Sequence, residues 1–545
     1  MAEQRQAGQP VQPADYINLA KIEEAYFHNV PDMANPVQQV RFGTSGHRGT
    51  AEKGSFTECH VAAIVQAVCE YRSEFGAIGP MFLGQDTHGL SQLAFRTAIE
   101  VLAGNGVVTY IDKDGGFVPT PSISRAIVRY NGTCQNRWSD GIVITPSHNP
   151  PEHGGIKYND CQGGPADKTV TTTIEQRANE ILRNDGIAIK RIPYNEAVAL
   201  PIIKPYDFMG QYVLELAKVV DLESIRNSGL RIMVDALGGS GMHYWNEISR
   251  QYEIPMVIIN DTYDPQFRFM NYDGDGKVRM DCSSPYVMSS VTKQAGDYDL
   301  IVANDPDYDR FGIVCGTDGM LGANQFLSAG AHYLLTHRKF SGRGIGKTAV
   351  TTNMLRLIAA DLNVPLYEVP VGFKFFGPLF MEHKIAFAGE ESAGASFVQK
   401  DGSVWTTDKD GMILALLAME LTAVTGKRPN QYYDCLCEKY GTPYAARTEA
   451  EANLEERNKI GELSVADVEA EVLGGSAITA ISSTSEYGDM PLGGVKITTA
   501  SGWVVARPSG TEDLYKLYSE SFESTAVAQK LLAEGKLLIA KALSK

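Results

Sequence analysis

The chain has 545 residues, of which 43% are hydrophobic and 21% are charged, and its formal net charge is -16 at pH 7. At about 150 residues per domain, this length predicts three or four globular domains. The negative charge argues against nucleic acid or an anionic membrane as the main partner, although local cationic loops could still bind a phosphorylated substrate.

The absence of signal-peptide and membrane-span patterns, together with the cysteines, predicts the compartment and the redox state of the protein. The polar N-terminus contains no apolar segment typical of a signal peptide, and no run of about 18 apolar residues indicates a membrane span. The eight cysteines include no CxxC pair, and several stand in apolar surroundings. Buried, reduced thiols are therefore expected, and we predict a cytoplasmic protein with no membrane partner.

Along the chain, strands and helices alternate. Residues 1–15 are polar and predict a loose tail. Three later stretches, 79–112, 230–261 and 344–370, each contain an apolar strand, a helix of about ten to fifteen residues and a second β-rich run. These βαβ units predict three related α/β domains. Residues 446–545 instead have a charged helical stretch and several strands separated by turns, which predicts a smaller α+β domain.

The sequence NDPDYDRFG, residues 304–312, follows an apolar strand and places Asp305, Asp307 and Asp309 at alternate positions. Three carboxylates in one loop repel each other unless a cation lies among them, and oxygen ligands favour Mg²⁺ or Ca²⁺ over zinc. An EF-hand is excluded, because Arg310 and Gly316 stand where Gly and Glu are needed. A solvated acidic turn is the alternative, but the position after a buried strand favours Mg²⁺.

The sequence TPSHNP, residues 145–150, places Ser147 between two prolines at the end of an apolar strand. The flanking residues exclude the GxSxG elbow of a serine hydrolase. A phosphoacceptor serine facing the metal loop is the functional interpretation, and a turn serine without chemistry is the alternative.

Three further loops have residues suited to anions or sugars. RPSGTED, residues 507–513, offers a forked cation, hydroxyls and close backbone N–H groups for a phosphate, or forms a polar hairpin loop. RFGTSGHRG, residues 41–49, is a second candidate anion loop, and GEESAG, residues 389–394, could accept hydrogen bonds from sugar hydroxyls. SGRGIGKT lacks the first glycine of a P-loop and precedes a strand, so a P-loop is rejected. YDGDGK, residues 272–277, predicts a turn.

Taken together and in this order, GTSGHRG, TPSHNP, DPDYDR, GEESAG and RPSGTED resemble the α-D-phosphohexomutase superfamily, and are most similar to the bacterial phosphoglucomutases. The resemblance implies an α/β fold of three related domains with mixed sheets plus a smaller C-terminal α+β domain, arranged as a heart with a central cleft. The expected domains are 1–205 with the phosphoserine loop, 206–325 with the metal loop, 326–445 with the sugar-binding loop, and 446–545 with the phosphate-binding loop. The stretch 263–288 departs from the linker pattern of many family members.

The resemblance also implies residue roles. Ser147 would carry the phosphoryl group and, with Asp305, Asp307 and Asp309, would hold Mg²⁺. Lys157 would lie near the transferred group. We take it as the first candidate for the general base, because Mg²⁺ and nearby cations could lower its pKa, and His148 as the second, for which a structural role is the alternative. The remaining implied site residues bind substrate or surround the transferred phosphoryl group: Arg48, Arg310, Gly372, Lys374, Glu390, Ser392, Arg507, Ser509, Gly510 and Thr511.

The implied activity is the reversible interconversion of glucose 1-phosphate and glucose 6-phosphate, with glucose 1,6-bisphosphate as intermediate. The last domain is expected to close on the substrate through its phosphate loop. Alternatives are a mutase acting on mannose or an amino sugar, a metal-dependent phosphatase, and a non-catalytic sugar-phosphate sensor. The expected partner is a hexose phosphate, and the expected state is a monomer or homodimer.

Overall fold

The computed structural model describes residues 6–43, 46–134, 137–509 and 514–543. The chain forms two compact units, one comprising Met1–Gly322 with Ala393–Arg428, and the other Ala323–Ser392 with Pro429–Lys545. Each unit is described by itself.

The first unit begins with a six-stranded mixed sheet in the order β1-β5-β4-β2-β3-β6. Strands β2, β3, β4 and β6 run parallel, whereas β5 is antiparallel to β1 and β4. The strands are β1 (His47–Thr50), β2 (Met81–Gln85), β3 (Thr109–Asp112), β4 (Asp140–Ile144), β5 (His153–Asn159) and β6 (Ile203–Tyr206). The helices are α1 (Leu19–His28), α2 (Glu58–Phe75), α3 (Gly89–Gly104), α4 (Thr120–Thr133), α5 (Lys168–Arg183) and α6 (Tyr194–Ala197).

The second sheet of this unit has the order β10-β9-β7-β8, with β9 and β8 parallel to β7 and β10 antiparallel to β9. Its strands are β7 (Ile232–Asp235), β8 (Val257–Ile259), β9 (Leu300–Ala303) and β10 (Gly312–Val314). The helices are α7 (Phe208–Glu215), α8 (Leu222–Asn227), α9 (Met242–Tyr252) and α10 (Ser289–Thr292).

The second unit contains three parallel strands in the order β12-β11-β13, and an antiparallel sheet in the order β15-β20-β19-β18-β17-β16. The elements from Ala323 to Tyr440 are α11 (Ala323–His337), β11 (Gly344–Thr348), α12 (Met354–Asp361), β12 (Leu366–Val369), α13 (Phe376–Met381), β13 (Ile385–Glu390), β14 (Gly394–Phe397), α14 (Gly411–Thr425) and α15 (Pro429–Tyr440), of which β14 and α14 belong to the first unit.

The C-terminal elements are β15 (Tyr444–Glu451), α16 (Leu454–Glu462), β16 (Val472–Leu473), β17 (Ser476–Thr484), β18 (Pro491–Thr499), β19 (Gly502–Pro508), β20 (Leu514–Ser521) and α17 (Thr525–Leu543). The predicted fold class is confirmed: each of the three βαβ stretches forms a helix between two parallel strands, and the last domain is α+β. The boundaries near residues 205, 325 and 445 stay predictions.

The prediction of a loose N-terminal tail is wrong for residues 6–15. Val11 is buried in the core of the second sheet's domain, and its N–H donates to the carbonyl of Met270 at 3.0 Å. The Tyr272 hydroxyl donates to Asp15 at 2.6 Å and accepts from the N–H of Gln12 at 2.9 Å. Polar composition suggested a tail, but backbone hydrogen bonds and one apolar side chain are enough to hold the segment.

Candidate active site

The predicted metal loop connects β9 to β10. Its carboxylates, Asp305, Asp307 and Asp309, are all buried, and one oxygen atom of each lies within 4.8 Å of the others. Tyr308 takes a left-handed conformation with φ of 63°, and its ring packs against the backbone at Gly239 and Gly241, where a Cβ would approach it to 2.8 and 2.4 Å. The second sheet therefore anchors the loop and concentrates negative charge at its end.

The loop contains carboxylate oxygens that the surrounding side chains leave unsatisfied. Oδ1 of Asp307 and Oδ1 of Asp309 are buried and have no hydrogen-bond partner within the described ranges. Burial without a partner is costly for a carboxylate oxygen, and a bound cation would remove that cost. The three aspartates thus form a group that could hold a metal ion. Their hard oxygen donors suit an ion such as Mg²⁺.

Two lysines partly balance these carboxylates. Lys157 Nζ on β5 donates to Asp307 at 2.6 Å and to Asp309 at 3.0 Å, and Lys409 Nζ lies 3.0 Å from Asp309. Burial, followed by repulsion from Asp309 and Asp307, raises the pKa of Asp305 well above its usual range. Burial acts in the same direction on Asp309, but the ammonium groups of Lys157 and Lys409 outweigh it and hold its pKa well below normal.

Ser147 lies at the carboxyl end of β4 and is only 1% exposed. Its φ is 60°, a conformation that L-residues rarely adopt, and its N–H donates to Oγ1 of Thr145 at 2.8 Å. Its Oγ donates to Oδ2 of Asp305 at 2.9 Å. The structure therefore brings the serine predicted from TPSHNP into direct contact with the predicted metal loop, although 158 residues separate the two in sequence.

A buried hydrogen-bond network supports the serine loop. Oδ2 of Asp86 accepts from Thr145 Oγ1 at 2.6 Å, and the same carboxylate contacts the His88 ring at 2.8 Å. The other ring nitrogen of His88 lies 3.0 Å from the carbonyl of Asn149. Burial opposes both charges, but their mutual attraction lowers the pKa of Asp86 and raises that of His88. This pair holds the loop from both ends.

The two candidate bases have different surroundings. Burial acts to lower the pKa of Lys157, but attraction to Asp307 and Asp309 outweighs it and raises the pKa above the ordinary lysine value. The Nδ1 atom of His148 lies 3.4 Å from Ser147 Oγ. Burial, followed by the charge of Arg310, holds the pKa of His148 well below its usual range. Without a cation at the triad, Lys157 is therefore a charged group and His148 a neutral one.

The predicted arginines of the first unit approach the same loops. Arg48 on β1 donates to Asn149 Oδ1 at 3.3 Å, next to the serine loop. Arg310 Nη1 donates to Oδ2 of Asp281 at 2.9 Å, and its Nε lies 4.0 Å from Oδ1 of Asp309. Burial acts to raise the pKa of Asp281, but the guanidinium of Arg310 outweighs it and lowers the pKa to about 2.

The second unit holds the predicted sugar and phosphate residues. Glu390 at the end of β13 is 5% exposed, and its Oε1 accepts from the N–H of Gly372 at 2.9 Å. Gly372 has φ of 134° and precedes a short 3₁₀ helix that carries Lys374, while Ser392 ends this part of the unit. Arg507 is on β19, and the N–H of the buried Ser509 donates to the carbonyl of Leu514 at 2.9 Å. Gly510 and Thr511 lie outside the described residues.

The sequence reasoning missed several groups that contact the site. Thr120 at the start of α4 donates to Oδ2 of Asp307 at 2.6 Å. Lys409 follows Asp408 in TTDKDG, and this cluster of charged residues was a local signal for a functional loop. Asp86 ends the polar Gly84-Gln85-Asp86 cluster that follows the first apolar strand, a position typical of functional residues in α/β proteins. Asp281 lies in the departing stretch 263–288, and no local signal connects it with Arg310.

The fold and the site define an α/β protein with a buried serine hydroxyl beside a carboxylate group suited to a metal ion. Known families match it in four consecutive parts, named Phosphoglucomutase/phosphomannomutase alpha/beta/alpha domain I (residues 39–185), domain II (residues 210–319), domain III (residues 322–440) and C-terminal domain (residues 446–535). No helix among the described residues has the length and apolar character needed to cross a membrane.

Individual relatives support the same family assignment. The chain is 43% identical over 545 residues to a phosphoglucomutase of Komagataeibacter xylinus, which covers 99% of this chain and 98% of that protein. It is 27% identical over 442 residues to phosphoglucomutase 1 of Drosophila melanogaster, covering 76% of this chain and 75% of the relative. The chain therefore belongs to the phosphoglucomutase/phosphomannomutase family of the α-D-phosphohexomutase superfamily.

Solved structures share the fold. A Thermus thermophilus protein provisionally named a phosphomannomutase superposes with a TM-score of 0.71 at 25% identity, covering 92% of this chain and 99% of that chain. The open form of parafusin, a Paramecium phosphoglucomutase, has a TM-score of 0.72 at 19% identity and covers 94% of this chain and 95% of that one. At this lower identity the second similarity concerns the fold alone.

Proposed function

We propose that the protein is an enzyme that reversibly converts α-D-glucose 1-phosphate into glucose 6-phosphate through a phosphoserine at Ser147 and a glucose 1,6-bisphosphate intermediate. The observation that carries the proposal is the contact of Ser147 Oγ with Asp305 Oδ2 at 2.9 Å, beside buried carboxylate oxygens that no described residue hydrogen-bonds. The high identity to the Komagataeibacter phosphoglucomutase over the whole chain supports glucose as the sugar.

Mg²⁺ is the proposed metal, with Asp305, Asp307, Asp309 and an oxygen of phosphorylated Ser147 as its ligands. When bound, it would neutralise charge on the phosphoryl oxygens and on the carboxylates. Loose phosphoryl-transfer transition states need little covalent help, so positioning and electrostatic stabilisation supply most of the catalysis. Arg48, Arg310 and Lys157 are the proposed cations of this chain that surround the transferred group.

In the first half-reaction, the 6-hydroxyl oxygen of glucose 1-phosphate bonds to phosphorus while the bond from phosphorus to Ser147 Oγ breaks. The hydroxyl proton goes to a base, and Ser147 Oγ leaves as an alkoxide that takes a proton. The bisphosphate then turns over within the site. In the second half-reaction, Ser147 Oγ gives up its proton to the base and bonds to the phosphorus on O1 while the bond from that phosphorus to O1 breaks, and O1 takes a proton. Phosphoserine is regenerated and glucose 6-phosphate is released.

Lys157 is the proposed base. The negative charge of Asp307 and Asp309 keeps it protonated in the metal-free protein, and neutralising those carboxylates would remove that effect. His148 is the second candidate, because its neutral ring lies 3.4 Å from Ser147 Oγ. General bases contribute about 10²–10⁴-fold to rate, so the two can be separated by mutation.

The substrate-binding roles are proposals of the same kind. Glu390 and Ser392 would bind sugar hydroxyls, with Gly372 and Lys374 beside them. Arg507, Ser509, Gly510 and Thr511 would bind the phosphate that does not react, and closure of the last domain would keep water from the phosphoserine. We expect the protein to act in the cytoplasm as a monomer or homodimer, without nucleic acid or membrane partners.

A mutase acting on mannose or an amino sugar is the second candidate. The Thermus protein at 25% identity carries the phosphomannomutase name. GEESAG resembles the glucose-selective form of the sugar loop, which favours glucose.

The deciding experiment is a coupled assay of glucose 1-phosphate turnover with Mg²⁺ and a trace of glucose 1,6-bisphosphate. The wild-type protein should convert glucose 1-phosphate rapidly, and the Ser147→Ala variant should be inactive. Ser139→Ala is the matched control, because Ser139 is also buried in this domain but its hydroxyl donates to Asn131. Intact mass spectrometry after incubation with the bisphosphate should detect one added phosphoryl group in wild type and none in Ser147→Ala.

Other outcomes would redirect the proposal. Equal turnover by wild type and Ser147→Ala would exclude the phosphoserine mechanism. Faster turnover of mannose 1-phosphate or glucosamine 1-phosphate than of glucose 1-phosphate would identify the second candidate. Release of free phosphate without isomerisation would indicate a phosphatase.

A further inference from the structure

The stretch 263–288 enters the site although it lies outside the βαβ patterns. Phe267, Met270, Tyr272, Met280 and Cys282 are buried in one apolar cluster with β7 and β9. The predicted turn forms at 272–277, where the Asp273 N–H donates to the Lys277 carbonyl at 2.8 Å. Immediately after it, the N–H of Met280 donates to the carbonyl of His148 at 3.2 Å. The chain at Asp281 is therefore held between the serine loop and its own domain's core.

Asp281 is itself fixed before it meets Arg310. Its Oδ1 accepts from the N–H of Ser283 at 3.0 Å and from the Ser283 hydroxyl at 2.6 Å. This leaves Oδ2 for Arg310 Nη1 at 2.9 Å, and both side chains are only 17% exposed. Such a pair is shielded from solvent and has a defined geometry, unlike an exposed ion pair.

Arg310 has a second acidic neighbour. Its backbone N–H donates to Oδ1 of Asp305 at 3.0 Å, which fixes the backbone from which the side chain extends. Its Nε lies 4.0 Å from Oδ1 of Asp309, the oxygen for which the described residues supply no hydrogen-bond partner. A guanidinium binds carboxylates strongly, so without Asp281 the nearest acid available to this side chain is Asp309.

We propose that Asp281 is a positioning residue that holds the Arg310 guanidinium away from Asp309, so that Oδ1 of Asp309 stays open to a divalent cation and the guanidinium faces the phosphoryl group. The cation part rests on the geometry of the triad, and the phosphoryl part rests on the proposed function. Removing Asp281 lets the arginine compete with the cation for the same oxygen.

The test is Asp281→Asn, which keeps the side-chain shape and removes its charge. Mn²⁺ binding to the dephosphorylated protein is followed by electron paramagnetic resonance, without substrate. We expect about tenfold weaker Mn²⁺ binding, equivalent to about 1.4 kcal/mol. In the mutase assay, the Mg²⁺ concentration for half-maximal activity should rise by a similar factor, while KM for glucose 1-phosphate at saturating Mg²⁺ should change less.

Asp264→Asn is a closely matched control. Asp264 lies in the same stretch, its Oδ1 accepts from the N–H of Gln266 at 3.1 Å, and its Oδ2 accepts from Arg268 Nε at 2.9 Å. It thus has a similar turn and a similar ion pair, but its partner is not Arg310. Mn²⁺ binding and activity should stay at wild-type values.

The double variant Asp281→Asn/Arg310→Met separates positioning from a general structural defect. If the freed guanidinium competes with the cation, its removal should restore Mn²⁺ affinity above that of Asp281→Asn alone. Wild-type Mn²⁺ affinity in Asp281→Asn, or a double variant that binds no better than the single one, would overturn the proposal. Because this binding measurement needs no substrate, it decides the cation role even if the protein does not act on glucose phosphates.

Discussion

Ser147 and Lys157 show how single residues are held in unfavourable states by their neighbours. A left-handed conformation at a serine costs of order 1–3 kcal/mol, and here it is fixed by the bonds to Thr145 and Asp305. Burying the Lys157 ammonium is also costly, and Asp307 and Asp309 compensate it. The contacts that stabilise the left-handed serine and the buried ammonium also orient both side chains toward the acidic loop 304–312.

Lys157→Met is the prediction at this scale. If Lys157 is the base, kcat should fall at least about 100-fold. The metal-free protein should also lose about 3 kcal/mol of stability, because the buried Asp307 loses its lysine partner and Asp309 keeps only Lys409. Steady-state kinetics and thermal unfolding with and without Mg²⁺ measure the two effects. Lys204→Met, an exposed lysine on β6 of the same sheet, should change neither, and full activity of Lys157→Met would leave His148 as the candidate base.

The β4–β5 hairpin is the element that presents Ser147. Its strands pair antiparallel, so β5 brings Lys157 next to the loop that follows β4. Gly155 on β5 faces the backbone of Thr145, whose N–H donates to the Gly155 carbonyl at 2.9 Å. A Cβ at Gly155 would lie 2.2 Å from the Thr145 carbonyl oxygen, which no side-chain adjustment can relieve.

Gly155→Ala should therefore destabilise the protein by about 2 kcal/mol and reduce turnover, since the backbone beside Ser147 must shift. Gly132→Ala is the control: Gly132 is in α4, and no atom of a neighbouring described residue lies within 4 Å of the Cβ it would gain. That variant should be unchanged or more stable by up to about 1 kcal/mol. Thermal unfolding and the mutase assay report both quantities, and equal stability of the two variants would contradict the steric argument.

At the scale of the whole molecule, the two compact units carry different parts of the proposed chemistry. Ser147, Lys157 and the aspartates are in the first, and Glu390 and Arg507 are in the second. The second unit joins its two sheets through a buried ionic cluster, in which Glu368 lies 2.8 Å from Lys347 and also contacts Lys496. Burial acts to raise the pKa of Glu368, but these lysines outweigh it and lower the pKa to about 2.

This cluster predicts how the second unit responds to acid. A carboxyl with a depressed folded-state pKa adds stability above its ordinary pKa of 4.5 and loses it as pH falls toward 2. Hydrogen exchange should therefore report opening of β11, β12 and β18 as pH falls through this window. Glu368→Gln should lose about 3 kcal/mol at pH 7 and show a weaker acid dependence.

Glu382→Gln is the control in the same unit, because Glu382 pairs with Lys384 at the surface and such pairs contribute about 0–1 kcal/mol. An unchanged acid profile in Glu368→Gln would show that other groups govern the response.

The α/β class, the three βαβ units, the acidic loop and the serine loop could all be predicted from the sequence alone. These features depend on residues that are neighbours in the chain: hydrophobic periodicity selects strand or helix, and three carboxylates within five positions must share one loop. Ordered motifs then indicated the family without any knowledge of distances.

Which distant groups meet is known only from the folded structure. Thr120 and Asp307 are 187 residues apart, and Arg310 and Asp281 are 29 residues apart, yet each pair is hydrogen-bonded. The raised pKa of Lys157 and the packed N-terminal segment have the same origin. Both depend on contacts made by packing, and a sequence pattern carries no information about which far-apart side chains will lie within hydrogen-bonding distance.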